Sequence, residues 1–187
     1  MSYNLKKEGK FNYIEIGEGR PIIILHGLMG GLSNFDGVAE FFSKNGYKVV
    51  LPELPLYSMS LLNTNVKSFS NYLNDFIEFK GYEDVILIGN SLGGHVGLYH
   101  TKLFPTKVKA LVITGSSGLY ESAMGSGYTK RSDYEVMKAK AQEVFYDPEV
   151  ASKEIIDEVY ETVNDRSKLI KILAIAKSAI RHNMAKD

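Results

Sequence analysis

The residues of this chain best suited to chemistry lie in one short segment, Val85-Ile86-Leu87-Ile88-Gly89-Asn90-Ser91-Leu92-Gly93-Gly94-His95. It contains the pattern Gly-x-Ser-x-Gly, directly after an apolar run of strand character and directly before a run of helical character. A serine at such a strand-to-helix turn can attack a carbonyl carbon, forming an acyl-enzyme that water then hydrolyses. The turn demands a strained backbone at Ser91. Glycine is expected at positions 89 and 93 because a Cβ at either would collide with the adjoining strand or helix. Ser91 Oγ is then expected to project into a cleft.

Attack on a carbonyl creates an oxyanion that needs hydrogen-bond donors. The amide of Leu92 opens the helix and supplies one, with the helix dipole favouring negative charge. A second should come from the loop His26-Gly27-Leu28-Met29-Gly30-Gly31, which follows another apolar run; Leu28 is the first choice and Met29 the alternative. His26 reads as the residue that orders this loop. A base to take the Ser91 proton is harder to find. His95 lies one turn along the same helix, where its ring cannot easily meet Oγ. His100 reads as a surface or packed histidine, and His182 as a solvated helix-end residue. Met29, Leu32, Phe35, Met124 and Tyr128 could line an apolar pocket, although ordinary core is the better reading of each. Asp36, Glu53 and Asp75 read as solvated surface carboxylates.

Composition narrows the function classes. Lys plus Arg and Asp plus Glu number 22 each among 187 residues, so no field of one sign exists to attract nucleic acid or an anionic membrane. Cysteine is absent, which excludes thiol catalysis, disulfides and thiolate metal sites. Metal-ligand spacings, phosphate-binding glycine loops and dinucleotide fingerprints are also absent, so neither a metal nor a cofactor is expected. The polar N-terminus lacks the apolar core of a secretory signal, and no segment reads as a membrane span. The expectation is a cytoplasmic protein with a small-molecule acyl substrate and no nucleic-acid or membrane partner; the oligomeric state is left open.

Strands and helices must position these residues, and their alternation is legible. Asn12 to Ile16 and Pro21 to Leu25 are two strand-like runs separated by Gly17-Glu18-Gly19-Arg20, which predicts an early hairpin. Ile22 to Leu25 is continuously apolar, as expected of a central strand covered on both faces. A helix is predicted over about 34–43, a strand over 47–51, a helix over 66–79, a strand over 84–88, a helix over 92–104 and a strand over 108–113. This alternation implies an α/β fold with a mostly parallel sheet covered by helices on both faces. Beyond Gly115 only helices are predicted, over about 133–145, 149–164 and 167–183.

The combination of His26-Gly27 after a strand with Gly89-Asn90-Ser91-Leu92-Gly93-Gly94 resembles the α/β-hydrolase superfamily. The likeness is to its capped branch, which includes esterases, haloperoxidase-like proteins and meta-cleavage-product C–C hydrolases. The resemblance implies residues 1–114 as the N-terminal part of the hydrolase core and 115–187 as a helical cap or lid. It also implies a Ser, acid, His triad in that chain order, with acid and histidine after the seventh and eighth strands. Those strands cannot be placed here, so both residues are expected beyond position 187. Thr114-Gly115-Ser116-Ser117-Gly118 offers no carboxylate for the variant that places the acid after strand six. The implied activity is hydrolysis of a small carboxylic ester or related acyl compound through Ser91. Two alternatives stand beside it: C–C bond hydrolysis, suggested by Asn90 before Ser91, and a non-catalytic ligand-binding protein of the same fold. Lacking a base, the 187-residue chain alone is expected to be nearly inactive.

Overall fold

The computed structural model describes residues 3–29, 31–120 and 130–186. Among these residues six strands form one sheet: β1 (Lys6–Glu8), β2 (Phe11–Ile16), β3 (Arg20–Leu25), β4 (Tyr47–Pro52), β5 (Val85–Asn90) and β6 (Val108–Thr114), in the spatial order β1-β2-β4-β3-β5-β6. From β4 to β6 every pairing is parallel, whereas β1–β2 and β2–β4 are antiparallel. Between the strands run α1 (Asp36–Lys44), α2 (Val66–Phe79) and α3 (Leu92–Leu103).

The hairpin expected between β2 and β3 does not form, because β4 lies between them and pairs with both. The Gly17–Arg20 link instead crosses over the turn that leads into β4. Gly19 adopts φ 110, and a Cβ there would lie 2.2 Å from the Gly46 carbonyl oxygen. The cause lies in the link: Gly17 and Gly19, both at positive φ, press against the backbone of Tyr47 and Gly46 and carry the chain past the start of β4, so the enclosed residues Ile22 to Leu25 gain β4 and β5 as parallel neighbours. The actual N-terminal hairpin joins β1 to β2, and β1 escaped sequence reading because Lys6, Lys7 and Glu8 are all exposed.

Alternate β3 side chains feed two cores. Ile23 and Leu25 join Val50, Leu87, Phe69, Leu73 and Val96 beneath α2 and α3, while Ile22 and Ile24 join Val49, Leu51 and Ala39 beneath α1. Helix α2 starts at Asn65, whose side chain accepts the Ser68 N–H, and it buries Val66, Phe69, Tyr72, Leu73, Phe76 and Ile77 along one stripe. β6 borders the described sheet on one side, with Val112 half exposed.

After residue 130 the described chain is helical: α4 (Tyr134–Gln142), α5 (Lys153–Asn164) and α6 (Arg166–Arg181). Asp133, Ser152 and Asp165 cap the three N-termini with their side chains. α4 and α5 share a small core of Ala141, Ala151 and Ile156. α6 is anchored differently, for Ile175 enters the main core and Ser178 Oγ accepts the Val66 N–H at 3.0 Å. No described helix is long and apolar enough to cross a membrane.

His100 is wholly enclosed between α3 and α2; Nδ1 lies 3.3 Å from the Ser70 carbonyl, Nε2 has no partner among the described residues, and the ring packs 4.9 Å from Phe104. Burial lowers its pKa from 6.5 to about 4. The unfolded chain therefore binds a proton that the folded chain refuses between those values, so stability is full above about pH 6.5 and falls as the pH drops towards 4. At about 1.4 kcal/mol per pH unit the loss is on the order of 3 kcal/mol. His100→Leu should flatten this dependence, as read from urea unfolding midpoints at pH 7 and pH 4.5. A residual slope is expected from Glu15. Burial opposes its ionisation, but Lys80 and Lys6 hold its carboxyl below the usual range.

Candidate active site

Strand register brings three loops to one edge of the sheet. Leu25 stands beside Gly89 and Gly89 beside Ile113, so the chain leaves β3 at His26, β5 at Ser91 and β6 at Gly115 in adjacent positions. β3 leads to β4 on one side while β5 lies on its other side. The loops after β3 and β5 therefore flank the crevice where ligands bind in open parallel sheets.

Ser91 has φ 53 and ψ −119, and it alone among the described non-glycine residues has positive φ. The neighbourhood holds it there. Its N–H donates to the Thr114 carbonyl at 3.0 Å, and its carbonyl accepts from the His95 and Ser117 amides at 3.2 Å each. Asn90 Nδ2 donates to the carbonyl and the hydroxyl of Thr114, both at 3.1 Å. A Cβ on Gly89 would meet the Gly93 carbonyl oxygen at 2.5 Å, and one on Gly93 would meet the Leu25 carbonyl oxygen at 2.1 Å. A Cβ on Gly27 would stand 3.3 Å from Ser91 Cβ, so the loop after β3 lies against the serine.

Both nitrogens of the buried His26 are engaged. Nε2 accepts the Leu54 N–H at 2.8 Å, which leaves Nδ1 as the protonated nitrogen, donating to the Gly27 carbonyl at 2.8 Å. Burial lowers its pKa, which keeps the ring neutral. The Gly27 carbonyl belongs to the peptide whose N–H is that of Leu28, and a planar peptide points the two groups in opposite directions. His26 therefore fixes where the Leu28 amide points. The next carbonyl, of Leu28, accepts from the Tyr57 hydroxyl at 3.4 Å. Leu92 is the first residue of α3, so its amide has no acceptor within the helix.

None of the four histidines is hydrogen-bonded to the Ser91 hydroxyl among the described residues. His95 is fully buried, with Nε2 2.8 Å from the His182 carbonyl and Nδ1 3.5 Å from Ser117 Oγ. His182 is not the solvated helix-end residue that its position suggests: its ring meets Tyr99 edge-on at 5.1 Å, and Nδ1 lies 2.9 Å from the Ser178 carbonyl. Leu32 and Phe35 pack against the core beneath α1. Met29 is half-buried, while Met124 and Tyr128 lie outside the described residues. Glu53 and Asp75 are engaged at the surface with Asn12 and Lys10. A groove of about 520 Å³ between α2 and residues 55–63 includes Lys10, Tyr72 and Asp75 and contains none of the residues around Ser91. Sequence reading missed Leu54, Tyr57, Thr114 and Ser117. Only the small polar loop after β6 carried a signal, through its place beside the strand that leads into Ser91.

The model of the alpha/beta hydrolase fold family matches residues 20–156. The chain is a member of that family. A solved structure described as an alpha/beta hydrolase enzyme from a sediment metagenome of the Mar Chica lagoon, Morocco, is 60% identical. It superposes with a TM-score of 0.78, covering 98% of this α/β-hydrolase chain and 69% of its own. A 2-hydroxy-6-oxononadienedioate/2-hydroxy-6-oxononatrienedioate hydrolase of Comamonas testosteroni is 33% identical over 117 residues, 58% of this chain. Lipase 1 of Psychrobacter immobilis is 27% identical over 130 residues, 66% of this chain. The matches span 40% of the length of each of those two relatives.

The Ser91 backbone is the mirror image of an ordinary extended conformation, which glycine adopts freely and other residues adopt at a cost of about 1–3 kcal/mol. Ser91→Gly should therefore raise the melting midpoint, by roughly 2–4 °C per kcal/mol released, while Ser91→Ala should not. Gly93→Ala, forced against the Leu25 carbonyl, should lower it. Gly37→Ala, where a Cβ meets nothing within 4 Å, should leave it unchanged or slightly raised; differential scanning calorimetry on the four variants checks the order.

Proposed function

We propose that this α/β-hydrolase chain carries the nucleophile and oxyanion donors of a serine hydrolase acting on a small carboxylic ester or related acyl compound. Ser91 Oγ attacks the carbonyl carbon, and the amides of Leu92 and Leu28 receive the developing oxyanion. The alcohol leaves, and water hydrolyses the acyl-enzyme. One observation carries the reading: the strained Ser91 backbone, locked by Thr114 and Ser117 at the start of α3, lies against the loop that His26 orders. Strain of this kind persists where surrounding structure enforces it, and it clusters at functional sites. The helical segment containing α4 to α6 would serve as a cap over this edge of the sheet.

The Ser91 proton requires a base, and none of the described histidines is bonded to the hydroxyl. The chain alone is therefore expected to turn over esters very slowly, with residual acceleration from binding and the oxyanion donors. C–C bond cleavage is the second reading, favoured by the likeness to the 2-hydroxy-6-oxononadienedioate/2-hydroxy-6-oxononatrienedioate hydrolase of Comamonas testosteroni and by Asn90 beside the serine.

A fluorophosphonate probe followed by peptide mass mapping should label Ser91, and Ser91→Ala should abolish labelling. A folded protein that refuses the probe at high concentration and long exposure would favour a ligand-binding role. Parallel assays with p-nitrophenyl esters and a vinylogous diketone separate the two hydrolytic readings.

A further inference from the structure

We infer that Lys171 and Tyr57 are positioning residues that tie helix α6 to the peptide between Leu28 and Met29, so that seating of α6 steadies, from its Met29 side, the loop that carries the proposed Leu28 donor. The inference rests on the reading of that loop as an oxyanion site. Lys171 lies on the partly buried side of α6, and its Nζ donates to two backbone carbonyls of the loop after β4, those of Tyr57 and Met59, at 2.5 Å each. An ammonium has only donors, and two converging carbonyls hold it in one place far better than a single surface contact would. A second cation of the same helix, Lys168, lies 5.6 Å from the centre of the Tyr57 ring. α6 thus grips Tyr57 by both its main chain and its ring.

The far end of Tyr57 reaches the site. Its ring packs against the main core and its hydroxyl donates to the Leu28 carbonyl. That carbonyl shares a rigid peptide plane with the Met29 N–H, just as the Gly27 carbonyl shares one with the Leu28 N–H. Two consecutive peptides are therefore held from their carbonyl sides. His26 holds the first from within the core, and Tyr57 holds the second on behalf of α6. Loosening α6 would leave the His26 clamp intact and release the Tyr57 clamp.

The test uses the full chain with Tyr57→Phe, Lys171→Met, Lys171→Arg and the double variant Tyr57→Phe/Lys171→Met. Removing an oxyanion donor outright costs about 10²–10³-fold, so misdirecting part of the loop should slow fluorophosphonate labelling of Ser91 by roughly tenfold. Tyr57→Phe and Lys171→Met should do so with little change in the reagent concentration giving half-maximal rate. Lys171→Arg should restore most of the rate, and the double variant should be no slower than either single one, because the two residues act in series. Amide hydrogen exchange in the peptide containing Leu28 and Met29 should quicken in Tyr57→Phe and Lys171→Met, with peptides of β3 unchanged. Unaltered exchange there, or additive losses in the double variant, overturns the tie between α6 and the loop. If exchange quickens as expected but Ser91 in the parent never reacts, the tie stands and the oxyanion reading falls.

Discussion

Among the described glycines, the tightest approach is that of Gly93, between the start of α3 and the end of β3. With a Cβ-to-oxygen distance of only 2.1 Å available at position 93, no side chain of any kind fits between the helix and the Leu25 carbonyl. Glycine there lets the helix rest directly on the central strand. Two residues earlier Ser91 takes its positive φ, held there by the backbone of Thr114 and Ser117. The loop after β3 can then lie against Ser91 because Gly27 also lacks a side chain.

Around that contact the molecule spends its polar groups on backbone geometry. Thr114 and Ser117 bind the main chain of Ser91, His26 binds that of Gly27, and Tyr57 binds that of Leu28. Each of these bonds fixes the plane of a peptide, the preorganisation that the proposed oxyanion site would need.

The sequence was most readable where a single period dominated. The uninterrupted apolar run of β3 and the stripe of α2 follow directly from burial on two faces and on one, and both were placed by pattern alone. Pairing was less readable: two adjacent strand-like runs with a turn-rich link look like a hairpin. Only the packing of Gly17 and Gly19 on the Gly46–Tyr47 backbone, which no local pattern reveals, puts β4 between them. β1 is short and wholly exposed, so no hydrophobic period marks it. At the site, Ser91, Gly89, Gly93 and the His26 loop carry their own local signature. Tyr57 and Lys171 do not, because their part depends on an encounter between segments more than 100 residues apart, expressed through main-chain carbonyls that look alike in every sequence.

The tautomer of His26 has a consequence for kinetics. With Nε2 already receiving the Leu54 amide, a second ring proton would face a donor, and enclosure in the core penalises the charge as well. The imidazole that orders the loop after β3 is thus held in its neutral form. An acid limb set by His26 would show as collapse of the loop, below the range where a free imidazole titrates.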